Sequence, residues 1–183
     1  MSQPGTMAVW RNRLIGLLLA GVIFVVDQWI KAQVLYTIKL PQVGSIEIVS
    51  FFNLTYAENY GISLGMLTAT SMEMRWLLIA LTSGIALVVF IWMLREKLLG
   101  ETAALGLVLG GALGNILDRM NNGFVVDYAD LHFGDFRPFL IFNLADAAIS
   151  IGVLIILARS FLSREKHDEP ASLDEPAQAA TES

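Results

Sequence analysis

The hydrophobic positions of this 183-residue chain come in long blocks and not in alternation with polar ones. Residues 14–26 are apolar without a break, and beyond Asp27 the run continues through Trp29 and Ile30. Residues 76–94 and 102–117 carry no charge, and 139–158 carry only Asp146. With its flanks, each block approaches the roughly 20 residues a helix needs to cross about 30 Å of hydrocarbon. The pattern predicts an all-α membrane protein with four transmembrane helices, at about 12–31, 75–94, 101–119 and 138–159, in one domain over residues 1–162.

Two longer loops, about 32–74 and 120–137, separate the spans on one side. In the first, Ile46, Ile48 and the stretch SFFNLTY favour strands, with Pro41 and Gly44 as breakers, so a small antiparallel patch is expected on the outer surface. The Met- and Leu-rich stretch 61–74 predicts a short interfacial helix or a flap. Gly106, Gly110 and Gly114 recur every four residues on one helix face, where small residues let helix backbones approach closely in lipid; they are read as packing residues. Arg11 and Arg13 ahead of a short apolar core would suit a cleavable signal peptide. Asp27, Gln28, Trp29, Ile30 and Lys31 follow in place of a small-residue cleavage site, so a retained span is expected.

Composition sharpens this picture. A hydrophobic content of 55% and a mean hydropathy of +0.61 exclude an ordinary soluble domain. Arg11, Arg13, Arg95, Lys97, Arg159, Arg164 and Lys166 fall on one side of the predicted spans; Lys31, Lys39, Arg75, Arg119 and Arg137 fall on the other. If Lys31 and Arg119 are set aside as interior, the bias places both termini in the cytoplasm. Without cysteine the chain has no thiol nucleophile, no disulfide and no Cys-ligated metal. The net charge of −5 owes much to residues 163–183, an acidic, Ala- and Pro-containing stretch expected to be a disordered cytoplasmic tail. No basic patch marks a nucleic-acid partner.

The candidate chemistry lies in acids and amides at membrane depth. Asp146 sits in the last apolar block, and an ionised carboxylate there is costly enough to be a functional-site hypothesis by default. Counted from Pro138, it would stand about eight residues into the fourth helix, roughly 12 Å along it, with Asn143 on the same face. Asp127 follows the apolar pair in GFVVDYAD, after the turn-like Asn121-Asn122-Gly123; alone it would read as a solvated loop acid. Asp130, His132 and Asp135 of the same loop are read as solvated, and no metal site is expected. Asp27 and Lys31 form an i,i+4 pair near the end of the first span, with site support and a plain interfacial pair both open. Asn115 and Arg119 repeat that spacing beside Asp118; the amide needs a partner inside the apolar run and could position a carboxylate or a substrate backbone. If Asp127 and Asp146 converge, two carboxylates cannot both ionise cheaply. They would share one proton, as peptide hydrolysis without a metal or covalent intermediate requires.

The motifs DQWIK, FFNLTYAENYG, GGALGNILDR, GFVVDYAD and FNLADAAIS, in this order and with four spans, resemble those of bacterial lipoprotein signal peptidase, also called signal peptidase II. The resemblance covers the chain from Asp27 to about Ile151. It implies an aspartyl membrane protease of the bacterial inner membrane, with its active site towards the outer face. Its implied substrates are diacylglyceryl-modified prolipoproteins, cut before the lipidated Cys. By the same resemblance Asp127 and Asp146 match the catalytic pair, and Asp27, Lys31, Asn59, Gly61, Asn115, Arg119 and Asn143 match residues around the site. A β-cradle is implied near 46–56 and an interfacial helix near 61–74. Inhibition by the peptide antibiotic globomycin, membrane lipid as surroundings, a monomer and no cofactor are implied too. The chain departs from the family where Asn-Thr-Gly-Ala-Ala/Ser-Phe is usual: it reads Asn59-Tyr60-Gly61-Ile62-Ser63-Leu64. That change bears on substrate fit and inhibitor affinity.

The competing reading is a proton-coupled carrier whose intramembrane acids relay protons. Four spans, no internal repeat and acids confined to the outer half speak against it, since a carrier needs access from both sides. A purely structural subunit would leave Asp146 unexplained.

Overall fold

The computed structural model describes residues 5–61 and 72–165. Helix α1 (Thr6–Ala32) continues through a π turn at Gln33–Thr37, closed by an Ile38 N–H bond to the Gln33 carbonyl at 2.9 Å, into a short helix α2 (Leu40–Val43). Strands β1 (Ser45–Val49) and β2 (Phe52–Asn59) follow, then helices α3 (Met72–Arg95) and α4 (Leu99–Asn121), strand β3 (Val125–Leu131) and helix α5 (Leu144–Glu165). Among the described residues four helices are long and apolar enough to span a membrane: Thr6–Thr37, Met72–Arg95, Leu99–Asn121 and Leu144–Leu162. Ten residues of the expected interfacial helix, 62–71, and most of the expected tail, 166–183, lie outside the described residues.

The bundle is packed with its polar and small residues inward. On α1 the buried positions are Asn12, Gly16, Ala20, Asp27 and Lys31, a single stripe at helical spacing. Leu14, Leu18, Val22, Val25 and Trp29 form the opposite, exposed stripe. In water this distribution would be reversed. In lipid, apolar tails solvate leucine as well as another leucine does, so packing is won by small residues and polar contacts.

Helix α4 is the hub, packed against α1, α3 and α5. Its glycines set the distances. A Cβ on Gly106 would stand 2.5 Å from the Gly16 carbonyl oxygen, and one on Gly110 2.5 Å from that of Ala20. Gly111 lies against the Ala145 carbonyl of α5. Gly114 does more than pack: a Cβ there would meet Asp27 Oδ2 at 2.5 Å, so this glycine makes room for a carboxylate. That corrects the reading of the glycine stripe as packing alone.

The sheet is antiparallel with order β1-β2-β3. The sequence pattern foresaw a patch in the first long loop; the structure adds β3, within the segment read as the second loop. Alternation does not reveal β3 because Val125–Asp130 are all buried, so inward and outward positions do not differ in polarity. Register sets Ala57 opposite Asp127 and Asn59 opposite Val125. Beneath the sheet, Val34 and Leu40 meet Val126, Tyr128 and Ala129 in a second apolar core. Phe142 pairs with Ala129, its N–H donating at 3.0 Å and its carbonyl accepting at 2.8 Å, which ties β3 to the start of α5. Residues just before Asn143 are therefore sheet-like. The last span starts at Leu144 and not near Pro138.

Gly106→Val should force α1 off α4 and lower stability by about 1–3 kcal/mol. Gly84→Ala, with nothing within 4 Å of its added Cβ, should leave thermal unfolding in detergent unchanged.

Candidate active site

The N-terminus of α5 organises the site. A helix leaves its first N–H groups without intrahelical partners, and each here finds one from a different place. The Leu144 N–H donates to the Tyr128 hydroxyl of β3 at 3.2 Å, and that of Ala145 to Asp27 Oδ1 of α1 at 3.1 Å. The Asp146 N–H donates to Asn143 Oδ1 at 2.9 Å, while Asp146 Oδ2 accepts the Asn143 N–H at 3.2 Å. This is a reciprocal capping box, with Asn in the cap and Asp three residues on. Asp146 thus lies in the first turn of α5. It is not eight residues deep, and Asn143 is its cap and not a neighbour one turn back.

Asn143 also reaches the other acid. Its Nδ2 donates to Asp127 Oδ1 at 2.6 Å and to Asn115 Oδ1 at 3.3 Å. Asn115 Nδ2 in turn donates to Asp146 Oδ1 at 2.8 Å, and Asn59 Nδ2 donates to Asp127 Oδ2 at 3.0 Å. Asn59 Oδ1 accepts the Gly61 N–H at 3.1 Å, and the Gly61 carbonyl accepts from Arg119 Nη2 at 2.8 Å. The Arg119 guanidinium acts electrostatically on Asp146, Asp127 and Asp118, and its buried Nε has no hydrogen-bond partner among the described residues.

Behind Asn115 stands a buried charge cluster. Lys31 Nζ is 2.9 Å from Asp27 Oδ2, 2.8 Å from Asp118 Oδ2 and 3.1 Å from Asn115 Oδ1. An ammonium has donors only, so its contact with Asn115 fixes which end of that amide is oxygen. The other end then has to donate to Asp146. Asp118 Oδ2 accepts the Val126 N–H at 3.1 Å, coupling the cluster to the strand that carries Asp127. The pair Asp27–Lys31 is therefore buried and not interfacial.

All nine residues singled out from the sequence meet in one hydrogen-bonded network: Asp27, Lys31, Asn59, Gly61, Asn115, Arg119, Asp127, Asn143 and Asp146. The sequence reading missed Gln28, Asp118, Tyr128 and Arg75. Gln28 Nε2 donates to Asp27 Oδ2, the Gly114 carbonyl and Asp118 Oδ1 at 3.0–3.2 Å. Arg75 donates to the Arg119 and Met120 carbonyls at 2.8 and 2.6 Å, closing the C-terminus of α4. For Gln28 and Asp118 a signal existed, since each is a polar group at the end of an apolar run. Tyr128 and Arg75 act through contacts that no local spacing reveals. Asp130, read as solvated, is buried on β3 and paired with Arg137 at 3.1 Å; His132 is half-buried and Asp135 exposed. Among the described residues no three His, Cys, Asp or Glu side chains are grouped as metal ligands would be.

Burial, then the neighbouring charge of Asp146, push the Asp127 carboxyl up to about 7; the Asn59 and Asn143 amides and the Lys31 charge oppose the rise. Such a pair can hold one proton between its members at neutral pH. The Tyr128 hydroxyl is pushed up to about 12, chiefly by burial, and stays protonated.

Four spans, with two amide-bridged carboxylates at the start of the last one and a small sheet beside them, define a multi-pass membrane protein with a buried polar site. The chain belongs to the signal peptidase II family: the family model described as Signal peptidase (SPase) II matches residues 19–162. It is 54% identical over 151 residues to a lipoprotein signal peptidase of Sphingopyxis alaskensis, covering 82% of this chain and 87% of that one. A lipoprotein signal peptidase of Rhizorhabdus wittichii is 49% identical over 154 residues, covering 84% and 90%. A solved bacterial membrane enzyme, determined by the in meso method at 2.3 Å resolution, superposes with a TM-score of 0.72 at 28% identity over 86% of this chain and 93% of that one. The protein is accordingly a multi-pass membrane protease of the signal peptidase II family, whose members cleave signal peptides from prolipoproteins.

Lys31→Met should destabilise the fold by about 3–5 kcal/mol, because it leaves Asp27 and Asp118 buried without their cation; unfolding in detergent measures this. Asp127 holds its proton in the folded state up to about pH 7 and, unfolded, only to the ordinary carboxylate range. Folded protein therefore binds more protons between about pH 4 and pH 7, and stability falls as pH rises through that window. Asp127→Asn removes this loss. Relative to wild type it should gain on the order of 10 °C in Tm between pH 4 and pH 8, since about 3 pKa units correspond to about 4 kcal/mol and each kcal/mol to about 2–4 °C.

Proposed function

We propose that the protein is an aspartic endopeptidase that removes signal peptides from diacylglyceryl-modified prolipoproteins, cutting before the lipidated Cys. The observation that carries this reading is Asn143, which touches both Asp127 and Asp146 and holds them at one site. One carboxylate takes a proton from water as the water oxygen bonds to the scissile carbonyl carbon. The protonated partner gives its proton to the carbonyl oxygen. The tetrahedral diol then collapses: the C–N bond breaks, the leaving nitrogen takes a proton from one carboxyl, and one diol hydroxyl returns its proton to the other, leaving the carboxyl product and restoring the singly protonated pair. Water is the only co-reactant. The titration belongs to the pair.

Asn115, Asn143 and Asn59 position the acids in this scheme, and Arg119 holds the Gly61 carbonyl beside them. Lys31, Asp27 and Asp118 keep the amides oriented. The site faces the outer leaflet of the inner membrane, where a lipid-anchored precursor can enter sideways; both termini lie in the cytoplasm. The enzyme acts as a monomer of one domain, residues 1–162, and globomycin blocks it. The bulkier Tyr60 and Ile62 tune substrate and inhibitor fit.

Asp127→Asn or Asp146→Asn should each lower cleavage of a diacylglyceryl-modified precursor by at least about 10²–10⁴-fold, with the protein still inserted in the membrane. Normal turnover by either variant eliminates the mechanism. For the wild-type enzyme, the rate should fall as pH rises beyond about 7, where the shared proton is lost.

A further inference from the structure

Between β3 and α5 the chain displays large apolar side chains that no described residue covers. Phe133, Phe136, Phe139 and Leu140 are 59%, 66%, 61% and 65% exposed. Val49 and Phe51, at the β1–β2 turn, are exposed too, and the Phe51 carbonyl accepts the His132 N–H at 3.0 Å. The two turns therefore form one apolar tip at an end of the sheet. It is held in shape. Phe133 and Phe136 exchange backbone hydrogen bonds at 2.8 and 3.2 Å around Gly134, whose φ is +63°. Behind them Arg137 is tied to buried Asp130 at 3.1 Å. The aromatic rings are presented outward from a fixed hairpin and not folded back onto the sheet.

The position of the tip identifies its partner. Helix α5 begins at Leu144, four residues after Leu140, and four residues reach at most about 14 Å. The lipid-facing surface of that span thus starts beside the base of the tip. At the same end of the bundle, Trp29 late in α1 and Trp76 early in α3 are 62% and 52% exposed. Amphipathic aromatic side chains at span ends mark the membrane–water interface. The tip continues that belt beyond the spans.

We propose that Val49, Phe51, Phe133, Phe136, Phe139 and Leu140 form an interfacial anchor, inserted into the lipid leaflet on the sheet's side of the membrane with Arg137 at headgroup level. Lipid is the partner whose surface adjoins the tip, because the lipid-facing side of the last span starts four residues after Leu140. The anchor fixes the height of β3, and with it Asp127, relative to the leaflet. It rests on the four-span architecture and not on the roles of the two acids, so its test is independent of theirs.

The chain has no cysteine, so Phe136→Cys in the full-length protein supplies a single thiol for a nitroxide label. In nanodiscs of phosphatidylethanolamine and phosphatidylglycerol, the label should collide several-fold more with oxygen, which concentrates in lipid, than with a water-soluble nickel chelate. Chelate-dominated collisions would place the tip in water and overturn the proposal. Dipolar broadening between labels at two proteins per disc, absent at one, would show a second copy on the tip and overturn it equally. Phe133→Cys provides the same measurement should the first variant fail to insert.

Discussion

The open end of helix α5 is the constraint on which the rest of the structure depends. Its first N–H groups lie where the apolar span begins, and in lipid an unsatisfied backbone group costs several kcal/mol. Tyr128 from β3, Asp27 from α1 and Asn143 from the turn itself each take one. Satisfying one helix terminus therefore locks a strand, a distant span and a loop into a single arrangement. The same terminus carries a partial positive charge, favourable for carboxyl groups near it. Asp146 is held at that terminus by its own backbone, and Asp127 is brought to it through Asn143.

The charge cluster around Lys31 is the second layer of this arrangement. One cation serves two acids and an amide oxygen, at contacts of 2.8–3.1 Å. A buried ion pair adds little stability by itself, because desolvation offsets its attraction. Its value lies in orientation: with the ammonium on one end of Asn115, the other end points a donor at Asp146. Gly114 permits the cluster by leaving space for Asp27, so the glycine stripe of α4 and the chemistry of the site are one design. The small residues bring the helices close, and the close approach lets short polar side chains from α1, α4 and α5 touch.

Much of this was legible in the sequence, for reasons that differ by residue. Four spans announce themselves because a membrane demands long apolar blocks. Asp146, Asn115 and Asn143 stand out because a polar group in such a block needs an explanation. The signal peptidase II resemblance places Asp127 and Asn59, which composition alone does not distinguish. Asp130 went the other way: it reads as a loop acid because β3, buried nearly throughout, shows no alternation, yet it is buried on that strand and paired with Arg137. The start of α5 was misjudged for a related reason. Phe142 belongs by its side chain to an apolar run, but its backbone is committed to Ala129.

By itself the sequence determined how many times the chain crosses the membrane, which helix face would be crowded with glycine, and which polar groups lie too deep to be idle. These are local matters: block length, periodicity and the cost of a single buried polar atom. Only the tertiary structure decided that Asp127 and Asp146 share a bridging amide, that Asn143 is a helix cap, and that Lys31 serves Asp118 as well as Asp27. Such facts depend on contacts between elements up to 118 residues apart, as between Ala145 and Asp27. No local preference encodes which of several possible partners a buried hydrogen-bonding group will find. That choice is made when the bundle closes and every donor has to be satisfied at once.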